Sequence, residues 1–174
     1  MGAALKDQFL DAMSRSVSMV NVVTTDGPAG RFGATLSAMS SVSADMSPPT
    51  LLICLSQGSS TAPAIVRNRV FCLNLLHQSQ QAVADCFAGR AKTASGDKFD
   101  CGLWIRGADG GWRLNNALAS FDCQVLKVEL VGTHYVIIGS AHAVICGADT
   151  RALLYGGRTY CAAVALPAAP SLSQ

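Results

Sequence analysis

Between residues 5 and 15, "LKDQFLDAMSR", the apolar positions Leu5, Phe9, Leu10 and Met13 recur at near-helical spacing and predict a leading amphipathic helix. The period then shortens. "VSMVNVVTT" is rich in Val and Thr and reads as a strand, "DGPAGR" as a turn, and "FGATLSAMSSVS" as the returning strand of a hairpin. "PTLLICLS" is a continuous apolar run between turn residues, the pattern of a fully buried strand. In "STAPAIVRN", Ser60 or Thr61 stands at an N-cap with proline in the first turn, which predicts a short helix. "VFCLNLL" predicts another strand, and "SQQAVADCFAG" a helix closed by Gly89. From residue 120 onward, "SFDCQVLKVELVGTHYVIIGSAHAVIC" is dense in β-formers with "VGTH" as its turn, and "ALLYGGRTYCAAV" reads as one last strand.

These elements describe a mainly β protein with two or three helices, and strands at such spacing favour a closed barrel or a sandwich. Neither an internal repeat nor a linker divides the chain, so residues 1–166 are expected to form one domain, with 167–174 a mobile tail. The regular strand–helix alternation of a doubly wound sheet is missing. The glycines of "GPAGRFG" lack the dinucleotide-binding spacing and fall in the expected hairpin, and there is no P-loop. Any nucleotide cofactor must be held by other means.

Composition narrows the function classes. With 174 residues, 50% of them hydrophobic, the chain can bury a substantial core. Its 13 Lys and Arg against 11 Asp and Glu form no basic run, which argues against a nucleic-acid partner. Apolar stretches fall short of the roughly 20 residues a membrane helix needs, and the start lacks a secretory pattern, so a cytoplasmic protein is expected. So low a charge content points to surface buried in an oligomer. The seven cysteines form no C-x-x-C pair and sit mostly in apolar runs, as small buried hydrophobes in a reducing compartment do. His77, His134 and His142 lack metal-ligand spacing, and no G-x-S-x-G elbow marks a hydrolase. The absence of an obvious acid–base constellation is what a cofactor-driven reaction produces.

One stretch is unusually rich in small hydroxyls: "GATLSAMSSVSADMSPPTLLICLSQGSSTAP", residues 33–63. Strand and turn chemistry is one explanation. A mould for a flat, phosphorylated ligand, gripped by backbone N–H groups and hydroxyls, is the other.

Several fragments, taken in order, resemble the flavin reductase-like family: "GATLSAMSSVS", "PPTLLICLSQGSST", "FAG", "DKF", "ALASFDCQV", "VGTHYVIIGSAHAV" and "LLYGGRTY". The likeness runs from about Phe9 to about Tyr160. This family includes the small NAD(P)H:flavin oxidoreductases that serve two-component monooxygenases. The resemblance implies an FMN-binding split β-barrel with Greek-key connections, a homodimer, and FMN or FAD bound without covalent attachment near the dimer interface. NADH or NADPH would be the substrate, and reduced flavin would pass to a monooxygenase component. Relatives that keep their flavin and reduce a second substrate such as a cobalt corrin, non-enzymatic flavin-binding proteins, and pyridoxamine-phosphate oxidases share the architecture and mark the alternatives.

By position, the resemblance assigns Thr35, Ser37, Ala38 and Ser41 to the isoalloxazine and ribityl chain, where main-chain N–H groups can meet charge developing on the ring. It assigns Cys54, Leu55, Ser56, Ser59, Ser60 and Thr61 to the segment running toward the flavin phosphate, with helix N-terminal donors for a dianion. Arg90 and Lys98 are candidates for phosphate or adenylate contacts. His134 matches a position that meets the nicotinamide over the flavin. Tyr155 and Arg158 match residues of the same pocket, where an aromatic ring stacks and a guanidinium pairs with pyrophosphate.

Overall fold

The computed structural model describes residues 2–167, and the expected tail lies outside them apart from Pro167. In chain order the elements are α1 (Gly2–Ser14), β1 (Ser18–Met19), β2 (Asn21–Thr25), β3 (Phe32–Leu36), β4 (Met39–Ser43), β5 (Thr50–Ser56), α2 (Thr61–Asn68), β6 (Val70–Leu75) and α3 (Gln81–Phe87). There follow β7 (Trp104–Arg106), β8 (Trp112–Leu114), β9 (Ala119–Val131), β10 (His134–Cys146), β11 (Leu153–Gly156) and β12 (Thr159–Ala162). Seven strands form one antiparallel sheet in the order β3-β2-β6-β9-β10-β5-β4. A smaller sheet, β1-β11-β12, and the β7–β8 hairpin flank it.

Burial explains the sequence pattern. Val22 and Val23 are adjacent on β2 and both fully buried, because successive side chains of a strand point to opposite faces and here both faces are covered. Val23 packs with Ile53, Phe71, Leu73, Cys123, Ile137 and the α2 residues Ala62 and Ile65 on one side of the sheet. Val22 packs with Leu76, Leu114 and the α3 residues Val83, Ala84 and Phe87 on the other. All seven cysteines are free, as the odd count and spacing led one to expect. Burial raises the Cys72 thiol well above its ordinary pKa and pushes Cys123 up to about 12, so these two are inert packing groups.

Two expectations need correction, and a third is met with an unexpected exposure. The segment 32–43 is two strands: β3 pairs with β2 as the hairpin required, but the chain then crosses at Ser37–Ala38 and β4 pairs with β5 at the far edge of the sheet. The segment 152–164 is a hairpin, not one strand, turning at Gly157 and Arg158, both at positive φ. The leading helix forms as expected, and Leu5, Phe9, Leu10 and Met13 are all exposed, so its apolar stripe has no partner among the described residues.

The crossing at Ser37–Ala38 sets the shape of the sheet. A flat seven-stranded sheet separates its outer strands by roughly 29 Å at about 4.8 Å per step. The edge strands β3 and β4 are joined by two residues only, a reach of roughly 10 Å, so the sheet must curl until its edges approach one another. The Cys54 N–H donates to the Ala38 carbonyl at 2.9 Å and fastens the crossing to β5.

Candidate functional site

A cavity of about 590 Å³ opens at this seam, beside the outer edge of β3 and where β4 no longer covers the end of β5. Six parts of the chain build it: β3 with the crossing residues Ser37 and Ala38, the end of β5 at Cys54–Ser56, the loop and helix start Gly58–Thr61, the end of α3 at Phe87–Ala88, Lys98, and His134. As an edge strand, β3 leaves alternate backbone groups outside its ladder with β2.

The hydroxyl-rich loop is held by its own bonds. The Ser56 hydroxyl accepts from the Gly58 N–H at 3.2 Å, and the Ser59 N–H donates to the Ser56 carbonyl at 3.0 Å. Ser60 occupies the N-cap position of α2 in helical geometry and makes no side-chain cap bond; the Ser59 hydroxyl accepts from the Thr61 N–H at 3.2 Å instead. The N-terminus of α2 therefore faces the cavity with a free Ser60 cap and the positive end of its dipole.

Two cationic or ionisable side chains reach the same space. Lys98 Nζ donates to the Phe87 carbonyl at 3.1 Å, which fixes the ammonium at the rim while leaving it further donors. His134 starts β10 directly opposite Ser56 of β5, so residues 78 positions apart in sequence become neighbours across the ladder (134 − 56). Its Nδ1 lies 3.1 Å from the Thr133 hydroxyl, and the Thr133 carbonyl accepts from the Gln57 N–H at 2.9 Å. The β9–β10 turn and the β5–α2 loop are thus one tied unit. Among the described residues no carboxylate lines the cavity. Among the described residues no group of His, Cys, Asp or Glu is arranged to hold a metal ion. The donor set of hydroxyls, backbone N–H groups, a helix N-terminus and one lysine suits an anionic, flat ligand.

Of the residues singled out from sequence, Thr35, Ser37, Ala38, Cys54, Leu55, Ser56, Ser59, Ser60, Thr61, Lys98 and His134 all line this cavity. Arg90 and Tyr155 line an adjoining hollow of about 210 Å³, which shares Thr35, Leu36, Ser37 and Ala88 with the main cavity. Ser41 is elsewhere: β4 carries it past the crossing into an apolar hollow with Met39, Phe121 and Val144. Arg158 is also apart, at the exposed tip of the β11–β12 turn with φ 63°, and it lines none of these hollows. Sequence reading missed Gly33, Ala34, Leu36, Gly58, Phe87 and Ala88. Phe87 and Ala88 belong to the "FAG" fragment, which was a signal for the family and was not read as a wall of the site.

Gly33 shows why that wall is tight. A Cβ at this position would lie 2.4 Å from the Phe87 ring and 3.1 Å from the Val23 carbonyl, so glycine is what lets α3 press onto β3. Thr35 completes the junction, its hydroxyl donating to the Ala84 carbonyl at 2.7 Å.

Known proteins share this sequence and this antiparallel fold. The flavin reductase like domain model matches residues 13–163, and the chain belongs to that family. The FMN reductase (NADH) RutF of Pantoea ananatis is 42% identical over 158 residues, covering 91% of this chain and 81% of the relative. Nitrilotriacetate monooxygenase component B from Mycobacterium thermoresistibile superposes with a TM-score of 0.84 at 26% identity, over 99% of this chain and 96% of that one. The flavin reductase component of a bacterial two-component tryptophan halogenase, BorF, superposes at 0.79 with 26% identity, over 90% and 97%.

Proposed function

We propose that the protein is a nicotinamide-nucleotide-dependent flavin reductase whose flavin lies in the seam cavity. The observation that carries this reading is the lining itself: hydroxyls and edge-strand backbone along one wall, a helix N-terminus and Lys98 at one end, His134 at the rim and no carboxylate among the described residues. When bound, flavin supplies a hydride-accepting ring. The residues of the chain do the rest: Thr35, Ser37 and Ala38 face the ring and ribityl chain, while Ser59, Ser60, Thr61 and Lys98 receive the phosphate. His134 orients the nicotinamide, with Tyr155 and Arg90 in the adjoining hollow contacting the rest of that substrate. FMN and NADH are supported by the name of the 42% identical relative.

The curled sheet with joined edge strands supports a split β-barrel. The exposed stripe of α1, together with exposed Leu126, Leu130, Val131, Val144 and Ile145 on the long β9–β10 hairpin, supports a homodimer. Reduced flavin leaves for a partner oxygenase, a reading supported by the two-component system in which BorF serves. No helix among the described residues is long and apolar enough to cross a membrane. The decisive assay is anaerobic: purified protein with FMN is mixed with NADH, and the yellow absorbance should bleach at a rate that scales with protein. Flavin that stays oxidised, or bleaches no faster than in a protein-free control, defeats the proposal.

A further inference from the structure

The hollow beside the main cavity contains a four-residue polar cluster. The rings of Tyr155 and Tyr160 meet edge to face at 5.4 Å, and the Arg90 guanidinium lies 5.5 Å from the first and 5.8 Å from the second. Asp85, two residues before the end of α3, stands behind them. Its Oδ1 accepts from the Tyr160 hydroxyl at 2.8 Å and pairs with Arg90 Nη1 at 3.5 Å, while its carbonyl accepts from the Arg90 N–H at 2.9 Å. Arg90 Nη1 also donates to the Tyr160 oxygen at 3.3 Å. Burial and the Asp85 carboxylate push the Tyr160 pKa up to about 12, so the phenol remains a donor to that carboxylate.

We infer that Asp85 is a positioning residue that sets nucleotide selectivity, holding Arg90 neutralised against two tyrosine rings so that the hollow accepts an adenosine diphosphate half and disfavours one with an added 2′-phosphate. The inference rests on the reductase reading of the main cavity. Its physical basis is charge. The hollow offers aromatic faces for a base and one cation, Arg90, already engaged by Asp85 outside the lining, so a second dianionic group entering there finds no free counter-ion. With Asp85 replaced by its neutral amide, the Tyr160 contact is kept, and the guanidinium becomes available for bidentate pairing with phosphate.

The experiment measures kcat/KM for NADH and NADPH, and FMN affinity, on wild type, Asp85→Asn, Arg90→Ala and the double variant. Asp85→Asn should raise the NADPH-to-NADH ratio about three- to tenfold, a range limited by the solvent exposure of Arg90. The gain should come through KM for NADPH, with kcat and FMN affinity near wild type. The double variant should show the ratio of Arg90→Ala alone, because Asp85 acts through Arg90. An Asp85→Asn ratio within twofold of wild type, with NADH turnover intact, overturns the inference and leaves the reductase reading standing. Wild-type protein that fails to oxidise NADH with FMN defeats the reading itself. If the variants do not fold, wild type still decides: ADP-ribose should compete with NADH more tightly than its 2′-phosphorylated form, and equal or reversed competition overturns the proposal.

Discussion

The seam cavity and the corner beneath the β7–β8 hairpin use similar polar residues to opposite ends. At the corner the buried side chains of Asn74, Thr24 and Asp122 are answered from within, and of the hairpin's indoles only that of Trp104 lacks a partner among the described residues. Asn74, fully buried, donates to the Val22 and Trp112 carbonyls and accepts from the Leu114 N–H and the Ser120 hydroxyl. Thr24 donates to the Trp112 carbonyl and accepts the Trp112 N–H. Asp122, 2% exposed, takes both arms of the Arg113 guanidinium, whose pKa is raised by that pairing. At the seam, Ser60 makes no cap bond, the edge of β3 is unpaired outward, and the helix end opens to a cavity. Buried polar groups satisfied internally hold a fold together, whereas polar groups left open in a concave site wait for a ligand.

That contrast can be broken from either side, and the largest effect should come from the corner. Arg113→Ala strands the Asp122 carboxylate in the interior and should cost about 3–5 kcal/mol of stability, read by denaturant unfolding. Folded Arg113→Ala protein, selected at low temperature, should still bind FMN with wild-type affinity. A stability loss below about 1 kcal/mol would show that the corner is not the structural clamp described here.

Gly33→Ala lies between the two regions. The added methyl meets the Phe87 ring, so overpacking of about 1–3 kcal/mol is expected, together with weaker FMN binding as Phe87 shifts toward the cavity. Unchanged affinity would remove Phe87 from the cavity wall.

His134→Ala should leave FMN affinity within a few fold and lower kcat/KM for NADH by roughly 2- to 150-fold, the worth of one neutral or charged hydrogen bond. Flavin titration and stopped-flow reduction on the same preparation separate the two effects. A variant that cannot hold flavin, or that is reduced like wild type, places His134 outside the nicotinamide contact. The mildest test is assembly: light scattering should report about twice the 18.1 kDa of one chain, and a polar substitution of Phe9 should shift the balance toward monomer if the α1 stripe is covered by a second copy.

The two regions also differed in how much their residues announced. The seam was legible because its chemistry is contiguous: residues 33–38 and 54–61 are two short runs whose hydroxyls and glycines stand out in an apolar chain. Lys98 and His134 came only with the family resemblance, since nothing local in "DKF" or "VGTH" says that the chain returns to the same cavity. The crossing at Ser37–Ala38 was hidden because β3 and β4 both carry strand-like patterns with no glycine or proline between them, and their separation depends on pairing partners far along the chain. This also hid the path of β4, which carries Ser41 into the apolar hollow. The β7–β8 corner was not read at all. Its strands have three residues each, and its reason for existing is tertiary: Gly111 has no side chain so that the hairpin can lie on Cys72, where a Cβ would approach to 2.5 Å.

Where the flavin sits is the central question, and a crystal structure of the protein with FMN answers it directly. The phosphate should lie within hydrogen-bonding distance of Ser59, Ser60 and Thr61, near Lys98, and the ring against Thr35, Ser37 and Ala38 with His134 at its rim. Flavin density in the apolar hollow of Met39, Phe121 and Val144, or an FMN reversed so that its phosphate points away from α2, would contradict the account.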